Sequence, residues 1–117
     1  MFQNVTGFPS AAEDFQAKGL NLNDYVVSKP AATVFARATG NAMIQVGIDD
    51  GDLLVIDRSL YPQQGNTVVV AIDGELVCRI YDKNKQQLVP GNPACAPTSF
   101  YESMEIEGVV TYVIKKL

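Results

Sequence analysis

Few side chains in this sequence are of types that carry out chemistry. The 117 residues include two cysteines, Cys78 and Cys95, and no histidine. Neither thiol therefore has an imidazole to activate it, and no Ser-His-Asp triad is possible. We interpret both cysteines as small buried hydrophobic residues with free thiols. Ser10 is better explained as a helix cap than as a nucleophile, because Glu13 follows at capping-box spacing.

Several aspartates lie close together and raise the question of a cation site. Their spacing misses the EF-hand pattern, which needs a glutamate late in the loop. Gly47 and Gly51 lie among them and indicate turns instead. We therefore expect no bound metal and no cofactor. The aspartates concerned are Asp49, Asp50, Asp52 and Asp57.

The charge balance argues against nucleic acid as a direct partner. The chain has 9 Lys+Arg against 13 Asp+Glu, a formal net charge of −4. Binding to nucleic acid needs a basic face, and the only clustered bases are Lys115 and Lys116. No apolar run reaches the roughly 18 residues of a membrane helix, and no signal peptide is recognisable. These observations predict a cytoplasmic protein without a membrane anchor.

The elements that must position any site are mostly strands. The Asp73-Gly74-Glu75 step predicts a tight hairpin between the third and fourth of them. Ahead of the strands we expect a short helix that begins at Ser10 and a second within residues 21–28. The length fits one mainly β domain, a leader at 1–28 followed by a β-rich body at 29–117. The predicted strands cover residues 33–38, 53–56, 67–72, 76–81, 86–89 and 106–114.

Six short segments, in order along the chain, resemble the LexA/UmuD family of self-cleaving proteins. The resemblance runs from about Gly7 to the C-terminus. It is specific because it depends on the Gly-Asn-x-Met and Asp-Gly-Asp-Leu-Leu segments and on their spacing. It implies curved antiparallel sheets with short N-terminal helices. The matching segments are residues 7–10, 38–43, 47–57, 70–75, 88–92 and 108–110.

The LexA/UmuD family cleaves peptide bonds with a serine and a lysine, and both positions are altered here. The resemblance puts Ala42 at the serine position and Arg79 at the lysine position. Alanine has no nucleophilic oxygen, and a guanidinium stays protonated where a desolvated lysine could act as a base. We therefore predict a degenerate dyad without peptidase activity, and an acidic or carbonyl partner for Arg79. An engineered Ser→Ala change and residual peptidase activity are the alternatives.

The start of the chain also resembles a processed member of the family. In the UmuD branch of the family, cleavage at a Cys-Gly junction removes an N-terminal arm. The matching junction here is Thr6-Gly7, and six residues precede Gly7. We therefore expect a naturally short, UmuD′-like form, similar to short phage- or plasmid-borne members.

The resemblance implies protein partners. It implies a homodimer that binds the polymerase subunit UmuC and forms the error-prone translesion DNA polymerase V of the SOS response. A host UmuD, the RecA filament and the sliding clamp are further implied partners. A decoy that pairs with host UmuD and alters its processing is the alternative function. The expected dimer contacts include Glu75, Leu76, Ile106 and Val109.

Overall fold

The structure is a computed structural model that describes residues 21–101 and 103–117, and these residues form one antiparallel sheet of seven strands. The order across the sheet is β1-β2-β7-β3-β4-β5-β6. The mainly β fold expected from the sequence is therefore confirmed. The predictions at Thr6, Gly7 and Ser10 lie outside the described residues. The strands are β1 (Thr33–Arg37), β2 (Leu53–Asp57), β3 (Thr67–Ile72), β4 (Glu75–Asp82), β5 (Gln87–Val89), β6 (Thr98–Ser99) and β7 (Glu105–Ile114).

Strand β3 shows why the sheet has a core on each of its faces. Successive side chains of a strand point to opposite faces. Val68 and Val70, both fully buried, belong to one cluster with Tyr81 and Leu88. Val69 points the other way. It joins a second cluster with Met43, Ile48, Leu54 and Ile56. An unbroken apolar run is what a strand covered on both faces requires.

The last strand lies in the interior of the sheet and joins its two halves. Strand β7 pairs with β2 through residues 109–114 and with β3 through residues 105–109. The register shifts between Val55 and Ile56 and between Val69 and Val70. Such irregularities bend a strand and increase its local twist.

The β3–β4 hairpin forms at the predicted Asp-Gly step. Asp73 and Gly74 have φ values of 50° and 80°. Positive φ at both central residues is typical of the two-residue hairpin turn whose twist matches the flanking strands. The proline-containing segment after β5 is less regular, yet it contains strand β6, which the sequence analysis missed. Strand β6 has only two residues and pairs with Gln87 and Leu88.

A short helix precedes the sheet. Helix α1 (Leu22–Val26) lies within the predicted range, and the side chain of Asn21 caps it by accepting from the Asn23 N–H. The rings of Tyr25 and Tyr112 approach to 6.0 Å between centroids, which places the helix against β7. Within residues 21–101 and 103–117, no helix has the length and apolar character needed to cross a bilayer.

Candidate functional site

A cleft of about 460 Å³ opens between the loop after β1 and the first half of β4. Ala42 lies on the loop side of this cleft and Arg79 on the strand side, so the structure brings the two altered positions to one cavity. Its walls are formed by Ala36, Arg37, Ala38, Thr39, Gly40, Asn41, Ala42, Met43, Ile48, Leu54, Val69, Glu75, Leu76, Val77, Cys78 and Arg79.

The loop that carries Ala42 is held by side chains from distant parts of the chain. The Gly40 N–H donates to the Asp50 carboxylate at 2.8 Å. The side-chain amide of Asn92 donates to the Asn41 carbonyl at 2.9 Å. These two bonds restrain the backbone just before Ala42, and the methyl group of Ala42 packs against the core cluster that contains Met43.

Gly91 allows the loop after β5 to press against the Ala42 loop. A Cβ atom at Gly91 would lie 2.7 Å from Val46 Cγ2 and 3.2 Å from Met43 Cα. The Gly91 N–H points at Met43 Sδ, 3.2 Å away, and its carbonyl accepts from the Gln45 N–H at 2.8 Å. A residue without a side chain is needed at this close approach.

The predicted turn that contains Asp49, Asp50 and Asp52 also supports the loop that carries Ala42. Lys115 Nζ lies 2.6 Å from Asp52 Oδ2 and 2.7 Å from Asp49 Oδ2. The hydrogen bond from Lys115, followed by that from the Asp49 N–H, lowers the pKa of the buried Asp52. The bonds to Asp49 and Asp52 raise the pKa of Lys115 in return. The backbone of this turn bonds Ala38, which joins the turn to the cleft wall.

Arg79 lies at the strand side of the cleft, one residue before β5 begins to pair with β4. Its Nη1 donates to the Cys78 carbonyl at 2.7 Å, so the partner expected from the sequence is a carbonyl group. No ion pair of Arg79 is found within residues 21–101 and 103–117. Burial raises the pKa of the neighbouring Cys78 thiol to about 11, against a smaller opposite effect of the Arg79 charge. Cys78 is therefore protonated and a poor nucleophile at neutral pH.

The remaining predicted site residues fall into two environments. Glu75 and Leu76 are exposed at the start of β4 and border the cleft. Ile106 is half-buried and Val109 is only 5% exposed, because both pack in the core cluster that contains Val68 and Val70. The four positions expected at a dimer contact are therefore not equally accessible in this chain. Cys95 is half-buried and lies outside the cleft.

Three residues that contribute to the site were missed by the sequence analysis. Arg37 borders the cleft at the end of β1, Asn92 holds the Ala42 loop, and Lys115 holds the aspartate turn. Asn92 lies in one of the segments that resemble the LexA/UmuD family, so the sequence did indicate that this position contributes to the site. Nothing in the local sequence indicates that Lys115, rather than the adjacent Lys116, contacts the aspartate turn. Among the described residues, no group of acidic or cysteine side chains is arranged to hold a metal ion.

The fold and the cleft together define a class of β domain. In this class, a Gly-Asn-x-Met loop and the strand after an Asp-Gly hairpin face each other across a cavity. The sequence comparisons agree with that class, since the family described as Peptidase S24-like matches residues 3–111. The chain belongs to this family and is a UmuD-like member of the LexA/UmuD group.

Three relatives have comparable similarity to the chain. Protein SamA of Salmonella typhimurium is 45% identical over 94% of this chain and 79% of its own length. Protein ImpA of Escherichia coli is 43% identical over 94% of this chain and 77% of its own length. Protein MucA of Escherichia coli is 42% identical over 91% of this chain and 75% of its own length.

Proposed function

We propose that this chain is a non-catalytic, UmuD′-like accessory subunit. It dimerises and binds UmuC, and the assembly is the error-prone translesion polymerase of SOS mutagenesis. One observation carries the proposal: Ala42 and Arg79 line the same cleft, at the two positions where the family resemblance puts the nucleophile and the base. Neither residue can perform the chemistry of that position.

The geometry of the cleft supports a loss of hydrolysis rather than a replaced mechanism. A substitute nucleophile would have to come from the cleft wall, and the thiol there belongs to Cys78. Its raised pKa keeps it protonated near neutral pH. The guanidinium groups of Arg37 and Arg79 stay protonated and cannot act as bases, so a substitute base on the wall would have to be the exposed carboxylate of Glu75. The function therefore depends on the surface that the chain presents to other proteins.

Complementation tests the proposal directly. The gene is expressed in cells that lack UmuD but contain UmuC, and ultraviolet-induced mutation frequency is measured. We expect mutagenesis to be restored, and affinity-tagged chain to co-purify with UmuC. Restoration without co-purification would contradict the subunit mechanism. Depressed mutagenesis in cells with their own UmuD, without restoration in cells that lack it, would instead support the decoy function.

The dimer contact is proposed for the exposed part of the predicted interface. Leu76 is 63% exposed at the start of β4, beside the exposed Glu75, so its side chain is accessible to a second chain. Replacing it by lysine, Leu76→Lys, should shift the chain from dimer to monomer in sedimentation analysis. Tyr61→Lys is the matched control, since Tyr61 is 86% exposed in the loop between β2 and β3. Equal behaviour of the two variants would remove Leu76 from the interface.

A further inference from the structure

A second cavity, of about 470 Å³, lies outside the cleft, between the loop of residues 58–66 and strand β7. Tyr61 of the loop and Tyr112 of the strand line it, together with the aliphatic side chains of Leu60 and Val109. Tyr61 is 86% exposed and Tyr112 is 39% exposed. Two large rings are therefore accessible at one place, although burying them would stabilise the chain.

The aromatic surface continues beyond the second cavity. Tyr25 of helix α1 is 59% exposed, and its ring centroid lies 6.0 Å from that of Tyr112. The rings of Tyr25, Tyr112 and Tyr61 thus follow one another from the helix to the loop. Tyrosine rings are rigid and amphipathic, which suits them to contacts with other molecules.

Hydrogen bonds hold the loop that carries Tyr61 in its conformation. The Gln63 N–H donates to Asn66 Oδ1 at 2.8 Å, and the Gly65 N–H donates to the Tyr81 carbonyl at 2.9 Å. A wall that is already ordered loses little conformational entropy when a ligand binds, so more of the contact energy contributes to affinity.

The polar groups of this wall are uncharged and mainly hydrogen-bond donors. None of the described residues that line the second cavity is ionised. The Asn66 side-chain oxygen is occupied by Gln63, and the Thr111 hydroxyl donates to the Val55 carbonyl at 3.3 Å. Within residues 21–101 and 103–117, the Asn66 side-chain N–H groups and the hydroxyls of Tyr61 and Tyr112 have no partner. The wall therefore fits an uncharged ligand that offers hydrogen-bond acceptors.

A polyproline II segment has this character. Proline has no N–H, and the polyproline II backbone has no internal hydrogen bonds, so its carbonyl groups are free to accept. Grooves lined by aromatic side chains are a recurring way of binding such segments. An α-helix satisfies its own carbonyl groups and would leave the donors of the wall unpaired. A nucleic-acid strand would need cations, which the described lining does not provide.

We propose that the second cavity binds an uncharged, proline-rich segment of a protein partner in the polyproline II conformation. The proline rings pack on Tyr61, Tyr112 and the adjoining Tyr25. The carbonyl groups of the segment accept from the Asn66 side-chain amide and from the tyrosine hydroxyls. The inference goes beyond the proposed function, since this surface is separate from the cleft that contains Ala42 and Arg79.

Titration with short peptides tests this inference. The probe has blocked ends, acetyl-Pro-Pro-Leu-Pro-Pro-Leu-Pro-amide, and its matched control contains Ala in place of every Pro. The control peptide keeps its N–H groups and can form a strand or a helix. Binding to the isotope-labelled full chain is followed through the backbone amide resonances of Tyr61, Asn66 and Tyr112. We expect the proline peptide to bind at least about tenfold more tightly, because its φ angles are fixed before binding.

Variants of the loop then assign the binding to the second cavity. Tyr61→Ala should weaken binding of the proline peptide at least about tenfold through the lost ring contact. Asn66→Asp keeps the oxygen that accepts from Gln63 but removes the N–H donors, so it should weaken binding about fivefold. Tyr101→Ala is the control, because Tyr101 is 60% exposed and lies outside the second cavity.

Three results would overturn the inference: equal affinity for the two peptides, resonance shifts confined to residues outside the second cavity, and unchanged binding by Tyr61→Ala. Its failure is distinguishable from failure of the proposed function. A chain that restores mutagenesis but does not bind the proline peptide would retain the subunit function and lose this site. A chain that binds the proline peptide without restoring mutagenesis would do the reverse.

Discussion

The side-chain amide of Asn92 donates a 2.9 Å hydrogen bond to the carbonyl oxygen of Asn41, 51 residues earlier in the chain. The Asn92 side-chain oxygen also accepts from the Ala94 N–H at 2.9 Å. Asn92 is 8% exposed, so neither bond has ready competition from water. One side chain therefore shapes its own loop and fixes the residue that precedes Ala42.

Asn92→Ala should lower the free energy of unfolding by about 1–3 kcal/mol, because it removes both hydrogen bonds of the buried Asn92 side chain. Urea denaturation followed by circular dichroism measures the change. Asn84→Ala is the control, since Asn84 is exposed and bonds Gln64 through its backbone N–H. If both variants lose equal stability, the bond to Asn41 is not the cause.

Lys115→Met should destabilise the chain in a pH-dependent way. The pKa of Asp52 lies below its ordinary value of 3.8 in the folded chain, so its contribution is present above pH 3.8 and lost as the pH falls further. The pKa of Lys115 lies above its ordinary value of 10.5, so its contribution is present below pH 10.5 and lost at higher pH.

The stability difference between Lys115→Met and the unchanged chain should therefore be largest between about pH 5 and pH 9. It should shrink at both extremes, as measured by urea denaturation across the pH range. Lys116→Met is the control, because the neighbouring Lys116 forms none of the ion pairs found in the described chain. A pH-independent difference would contradict the role of the Lys115–Asp52 pair.

Cys78 should react slowly with iodoacetamide in the folded chain. In a Cys95→Ser variant, Cys78 is the only thiol, and its alkylation rate is followed by mass spectrometry. Because burial raises its pKa to about 11, the rate should rise about tenfold per pH unit and level off near that value. The same variant in urea should level off near the ordinary thiol pKa of about 8.5. Identical profiles in the two states would refute the effect of burial.

Ala42→Ser alone should not restore peptide cleavage, because Arg79 stays protonated and leaves the new hydroxyl without a base. The double variant Ala42→Ser, Arg79→Lys is the combination expected to regain activity. Each is incubated with RecA filaments on single-stranded DNA and an intact UmuD chain whose own nucleophilic serine is replaced by alanine, so that any cleavage comes from the added variant. Products are resolved by gel electrophoresis. Cleavage by the single Ala42→Ser variant, or by the unchanged chain, would refute the argument from Arg79.

The sequence by itself determined the mainly β fold, because local signals are strong in this chain. The Asp73-Gly74 step tolerates positive φ, and the run at residues 67–72 is apolar at nearly every position. The sequence also contains the segments that resemble the LexA/UmuD family, and this resemblance identified Ala42 and Arg79 as the dyad positions. Two-residue strand β6 escaped prediction because pairing with Gln87 and Leu88 determines it, rather than any pattern of its own.

Only the tertiary structure decided how the cleft is built. Val109 was expected at a dimer contact, yet its side chain packs in the core cluster with Val68 and Val70 and is buried in this chain. Arg37, Asn92 and Lys115 reach the site from separate parts of the chain, and no local spacing encodes such meetings. Local periodicity specifies which face a side chain takes, whereas strand order and register specify its neighbours.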